Sequence, residues 1–165
     1  MYRKILVPLD GSGLAETALP HAAALARAMG AEVTLVTVVQ FLLGASGAKL
    51  DAMPEAAEER RAALKAEAMI YLGKIQRDLK RQGVPARCVA LEGDVTSQIL
   101  AYAEQEESDL IAMGTHGRGG IDRFVMGSIA EKVVRGTRKP VLLIRALPAT
   151  PRPVDWREPS LPPLP

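Results

Sequence analysis

Residues 110–135 read Leu110-Ile-Ala-Met-Gly-Thr-His-Gly-Arg-Gly-Gly-Ile-Asp-Arg-Phe-Val-Met-Gly-Ser-Ile-Ala-Glu-Lys-Val-Val-Arg135, a short apolar run followed by a glycine loop and then an amphipathic run. The first is a buried strand by length and composition, and the last carries Ile129 and Val133 at helical spacing. Between them stand Gly114, Gly117, Gly119, Gly120 and Gly127, more glycine than a connecting turn requires. Ser128 followed three residues later by Glu131 is a capping box, which starts the helix at the loop and turns its positive dipole end toward it. Backbone amides with no side chains in the way then converge where an anion can sit, so the loop is a phosphate site by its physics.

Working outward, the same strand-then-helix alternation fills the rest of the chain. Lys4 to Leu9 is a short apolar strand closed by the turn and cap residues Asp10, Gly11 and Ser12. A helix is expected from about Leu14, with Ala18, Ala22, Leu25 and Met29 on one face and Gly30 as its left-handed stop. Pro20 falls inside it, and a proline there predicts a kink or a late start. The β-branched run Glu32 to Val39 predicts a second strand. After a patternless stretch from Gln40, a long helix is expected from Pro54 or Glu55 to Gln82, burying Leu64, Ala68, Tyr71, Ile75 and Leu79. The charges at 58–61 look like a solvated face with local ion pairs. Arg87 to Glu92, a helix carrying Val95, Ile99 and Ala103, Leu110 to Gly114, and Val141 to Arg145 complete the alternation. Apolar strands separated by helices imply parallel neighbours joined by crossovers. The fold class is therefore α/β, a single doubly wound domain with a five-stranded parallel sheet and helices on both faces.

A chain of 165 residues with 48% hydrophobic content supports one domain with its own core. The net charge of +2 gives no broad electrostatic footprint for nucleic acid, so none is expected as a partner. Cys88 is the sole cysteine, set in an apolar run that suits a buried inert thiol and a reducing compartment. No apolar run is long enough to span a bilayer and the start lacks a signal segment, so a soluble, cytoplasmic protein is expected. His21, His116 and Cys88 make no ligand-spaced set, and no metal site is expected in the protein itself. Seven of the twelve prolines lie after Leu147. That density separates a domain over residues 1–147 from an extended Pro-rich tail over 148–165.

The spacing Gly114-x2-Gly117-x9-Gly127-Ser128 resembles the nucleotide-binding signature of the universal stress protein family. Val7-Pro8-Leu9-Asp10-Gly11-Ser12, Glu92-Gly93-Asp94 and Pro140-Val141-Leu142-Leu143-Ile144 match the same pattern in order, and the resemblance covers roughly residues 1–146. It implies the strand order 3-2-1-4-5, with a ligand crevice where the connections after strands 1 and 4 diverge. It further implies ATP as the ligand. Adenine would be held by backbone groups near Val38 and Met113 with Pro8 beside it, ribose by Asp10, and the phosphates by Gly114, Gly117, Gly127, Ser128 and the amides of Ile129 and Ala130. Arg118 is open to reaching phosphate oxygens or to serving as a plain exposed arginine, and any Mg or Mn ion would be held mainly by the phosphates. Asp10 is open to a second role as the cap of the first helix, and His116 to neutralising phosphate or serving as a plain loop residue. Neither a lysine-bearing phosphate loop nor a Gly-x-Gly-x-x-Gly after strand 1 is present, and Asp10 lacks the acidic neighbour of a phosphorelay receiver.

The functional expectation is an ATP-binding, stress-responsive regulatory protein that hydrolyses slowly or not at all. Two alternatives stand beside it: an adenine-nucleotide-dependent enzyme of the same broad fold family, and a ligand-free dimeric scaffold. Strand 5, Val141 to Arg145, has no interrupting charge before its last residue to protect a sheet edge. It is expected to pair with its copy in a homodimer, as the resemblance also implies.

Overall fold

The computed structural model describes residues 2–40, 54–115 and 127–145. The 41–53 stretch, most of the glycine loop and the Pro-rich tail lie outside these residues. Five strands, β1 (Lys4–Pro8), β2 (Glu32–Val39), β3 (Ala86–Glu92), β4 (Leu110–Thr115) and β5 (Val141–Arg145), form one sheet in the order β3-β2-β1-β4-β5. Every neighbouring pair is parallel. The helices are α1 (Gly13–Glu16), α2 (Ala18–Met29), α3 (Pro54–Arg81), α4 (Val95–Gln105) and α5 (Ser128–Gly136).

Alternation along the strands divides the core between two faces. Ile5, Val7 and Leu35 point to one face, where they pack with Leu19 and Ala22 of α2 and Leu72 and Leu79 of α3. Leu6, Val36 and Ile111 point to the other, against Ile99 and Ala103 of α4 and Ala130 and Val133 of α5. The chain winds outward from β1 to β3 on one side and from β4 to β5 on the other. Right-handed crossovers then force the two sets of helices onto opposite faces. Asp109 fastens the start of β4 to the start of β1: its carboxylate accepts from the Arg3 and Lys4 amides at 2.7 and 3.0 Å.

Pro20 acts as a late start. The expected first helix is divided at Thr17 into α1 and α2, which puts Pro20 third in α2, among the residues whose amides have no intrahelical acceptor. The freed Leu14 carbonyl accepts from the Thr17 amide at 3.1 Å and the Thr17 hydroxyl at 2.6 Å. Gly30 ends α2 at φ 66°, the left-handed stop its residue type predicts.

In α3 the buried stripe is confined to the C-terminal half, at Leu72, Ile75 and Leu79, while Leu64, Ala68 and Tyr71 are only half-buried. The charged cluster near its start is more than a solvated face. Arg61 pairs with Glu58 at 3.8 Å, and also with Glu92 at the end of β3 at 3.2 Å, beside Lys65 at 3.0 Å. Lys65 holds the Glu92 carboxyl below the usual carboxylate range. Cys88 is half-buried on β3, and desolvation pushes its thiol up, as suits an unreactive cysteine. Among the described residues no helix is long and apolar enough to cross a membrane, and no cluster of His, Cys, Asp or Glu could hold a metal ion.

Candidate functional site

β1 and β4 are neighbours, and the connections leaving their carboxyl ends depart to opposite faces, through α1 and α5. A cavity of about 390 Å³ opens there, within the range of small-molecule sites. Its three walls are drawn from residues spread along the chain from Pro8 to Ala130.

The first wall is the turn after β1, with Pro8, Leu9 and Asp10. Asp10 does not cap α1; Ser12 does, its hydroxyl accepting from the Ala15 amide at 3.1 Å. Asp10 acts one step earlier, its Oδ1 accepting from the Ser12 amide at 2.9 Å and the Ser12 hydroxyl at 2.6 Å. The carboxylate is exposed, and its Oδ2 has no partner among the described residues.

The second wall is apolar. Val36 and Val38 of β2, Val95 and Ile99 of α4, and Met113 of β4 supply flat aliphatic surface suited to a planar ring. Asp94 sets the start of α4 by accepting from the Ser97 amide at 2.9 Å and hydroxyl at 2.7 Å, and these bonds hold its carboxyl below the usual range. The Glu92-Gly93-Asp94 motif is thus structural in this chain: an anchor for α3, a turn, and a cap that positions Val95.

The third wall is Gly114, at the end of β4, and the start of α5. The expected capping box does not form. Gly127 is the N-cap, with φ −57° and ψ 142°, and Ser128 is the first helical residue. A capping side chain must sit on the non-helical residue, and Glu131, four residues before Arg135, pairs with that guanidinium at 3.0 Å instead. The result still favours an anion site. The Ser128 hydroxyl has no capping duty, and the amides of Ser128, Ile129 and Ala130 have no acceptor four residues back within the helix. Gly127 gives its own amide to the Thr115 hydroxyl at 3.3 Å, so the last residue of β4 holds the helix start beside the strand end.

Pro8, Asp10, Val38 and Met113 from the sequence-derived set line this one cavity, together with Gly114, Gly127, Ser128, Ile129 and Ala130. Gly117 and Arg118 lie outside the described residues, as does His116. Ser12, Ala15, Gln40, Val95 and Ile99 also line it and were not anticipated as site residues. Val95 and Ile99 were assigned to the core by helical spacing, which does not distinguish core from cavity wall. Thr115 has no local signal at all. Gly114 carries a second role, since a Cβ built there would stand 2.2 Å from the Leu14 carbonyl oxygen and 2.8 Å from the Thr17 hydroxyl. It is the absence of a side chain that lets α1 close over the end of β4.

The family model for the universal stress protein family matches residues 1–145. Universal stress protein MJ0531 of Methanocaldococcus jannaschii is 34% identical over 145 residues, covering 88% of this chain and 83% of that protein. The solved structure of MJ0577 from the same organism superposes with a TM-score of 0.75 at 30% identity, over 90% of this chain and 99% of that one. A universal stress protein family member of Arabidopsis thaliana, with AMP bound, shares the fold at TM-score 0.60 and 16% identity, over 93% of this chain and 99% of that one.

Proposed function

We propose that this chain, which belongs to the universal stress protein family, binds an adenine nucleotide, ATP, in the crevice between β1 and β4 and acts as a stress-response regulator through its occupancy. One observation carries the reading: a carboxylate oxygen with no partner among the described residues, an aliphatic slot and a helix N-terminus meet around one cavity of about 390 Å³. Adenine lies between Val38 and Met113 with Pro8 beside it. The ribose hydroxyls donate to Asp10. The phosphates take the Ser128 hydroxyl and the amides at the start of α5, passing Gly114 and Gly127, with Gly117 and Arg118 completing the loop. A divalent ion, Mg or Mn, is held mainly by the phosphates. The AMP-bound Arabidopsis protein is in keeping with the reading, as a nucleotide carried on the same fold.

The part played by the protein is binding rather than rapid turnover. Helix-terminal amides stabilise phosphate charge already present in the bound state, and interactions equally strong in ground and transition states do not raise a rate. The functional unit in this reading is a cytoplasmic homodimer paired through β5, the sheet edge. Mass spectrometry of nucleotide released from the purified protein, with calorimetry against ATP and a phosphate-release assay, tests the proposal. Bound or titratable ATP with negligible turnover is expected. Folded protein that takes up no ATP would overturn the reading, and turnover at ordinary enzymatic rates would move the protein to the enzyme class.

A further inference from the structure

We infer that the outer face of α3 is a self-pairing surface separate from β5, on which a further copy of this chain lays its own α3 antiparallel, Glu59 against Arg77 and Ala66 against Ile70. The inner face of the helix is committed to the core, where Leu72, Ile75 and Leu79 are buried against the sheet. On the opposite side Glu59, Ala63, Ala66, Ile70, Lys74 and Arg77 follow one another at spacings of three and four, and all six are exposed. Ile70 is 64% exposed, the most of any large apolar side chain among the described residues. One such residue alone would carry nothing.

The order of charges around it does. Glu55 and Glu59 stand before Ile70, Lys74 and Arg77 after it, and among the described residues none of the four enters an ion pair. By contrast, Arg61 and Lys65 pair with Glu92, and Arg81 with Asp78. The helix dipole favours acid early and base late only within the first and last turns, and Glu59, Lys74 and Arg77 lie inside those turns.

Glu59 and Arg77 are separated by five full helical turns, so they lie on one line along the helix. Ala66 is as far from Glu59 along that line as Ile70 is from Arg77. A second α3 related by a two-fold axis midway between Ala66 and Ile70 therefore sets Glu59 of each copy against Arg77 of the other. Ile70 of each meets Ala66, a side chain small enough to let the helix axes approach to about 8 Å. A parallel pairing would set like charges together, so the charges fix the direction.

α3 packs over β2 and β3, at the sheet edge opposite β5, and one protomer can use both surfaces at once. Glu59, Ile70 and Arg77 are not among the residues lining the crevice, so the pairing stands whether or not ATP binds. A single helix face makes a small interface, and association is expected at about 0.1 mM, above the micromolar range.

Sedimentation velocity across that range should show wild-type protein passing to a species of at least twice its dilute mass, and added salt should oppose the change. In Glu59→Arg the new guanidinium faces Arg77, and in Arg77→Glu the new carboxylate faces Glu59. Each contact occurs twice by symmetry, so each variant should associate about tenfold or more weakly. An equimolar mixture of the two should regain the wild-type behaviour, because position 59 of one variant then meets position 77 of the other with opposite charge at both ends. Ile70→Lys should also stay at the dilute mass, with an unchanged circular dichroism spectrum. A wild-type mass that does not rise, a rise that salt strengthens, a rise that either charge variant or Ile70→Lys retains, or a mixture no heavier than its components overturns the inference.

Discussion

Replacing Gly114 by alanine adds one methyl group at the point where α1 closes over the end of β4. The new Cβ would meet the Leu14 carbonyl oxygen at 2.2 Å and the Thr17 hydroxyl at 2.8 Å. Carbon–oxygen contacts settle near 3.3 Å or beyond, so α1 must retreat by roughly 1 Å. The carbonyl cannot swing aside alone, because it already accepts from both the amide and the hydroxyl of Thr17. Overpacking of this kind costs about 2 to 3 kcal/mol, which for a domain of this size lowers Tm by about 5 to 10 °C. Since α1 is capped by Ser12, to which Asp10 is bonded, nucleotide affinity should fall together with stability. Gly136→Ala is the control. Its Cβ meets the Leu100 side chain, tightly only at Cδ1 at 2.6 Å, the far end of a side chain that can rotate, at a helix terminus where alanine is no worse than glycine. Thermal unfolding and calorimetry on both variants decide the matter. A Gly114→Ala protein as stable as Gly136→Ala, with full ATP affinity, would refute the close approach and the role given to glycine there.

Ser128→Ala should weaken ATP binding by about ten- to a hundredfold by removing a hydroxyl bond to charged phosphate, with the circular dichroism spectrum unchanged. Gly117→Val should weaken it at least as much by obstruction; unchanged calorimetric affinity in both variants would move the phosphate site elsewhere. Light scattering at micromolar concentration should report a homodimer, and a monomer would remove β5 pairing from the functional reading. Bonds from the Arg3 and Lys4 amides hold the Asp109 carboxyl below its usual range, so its contribution to stability is present above the ordinary aspartate value and is lost as pH falls through the depressed folded value. Asp109→Asn should therefore be less stable than wild type at neutral pH in urea unfolding, with the gap closing in acid; a gap independent of pH would show that the ionised carboxylate contributes nothing.

Most of the architecture is a local matter, and it was legible as such. The β-branched run of β2 and the apolar run of β5 have the bounds the sequence indicates, Glu32–Val39 and Val141–Arg145, because alternation and β-branching act over a few residues. Gly30 and Pro20 punctuate the first helical region for equally local reasons, through a left-handed φ and a missing amide. The parallel, doubly wound character follows from the alternation of elements, whereas the strand order came from the likeness to a family and is the order observed. The tertiary structure alone decided the rest. Ser128 and Glu131 spell a capping box, yet Gly127 takes the cap and Arg135 takes the glutamate, since local signals compete with partners that only the folded helix presents. Glu92 anchors a helix some thirty residues upstream, Thr115 holds Gly127, and Gly114 is a packing contact with Leu14 a hundred residues away. Such contacts have no periodicity to betray them, because their distances are set by how the layers close rather than by where the residues stand in the chain.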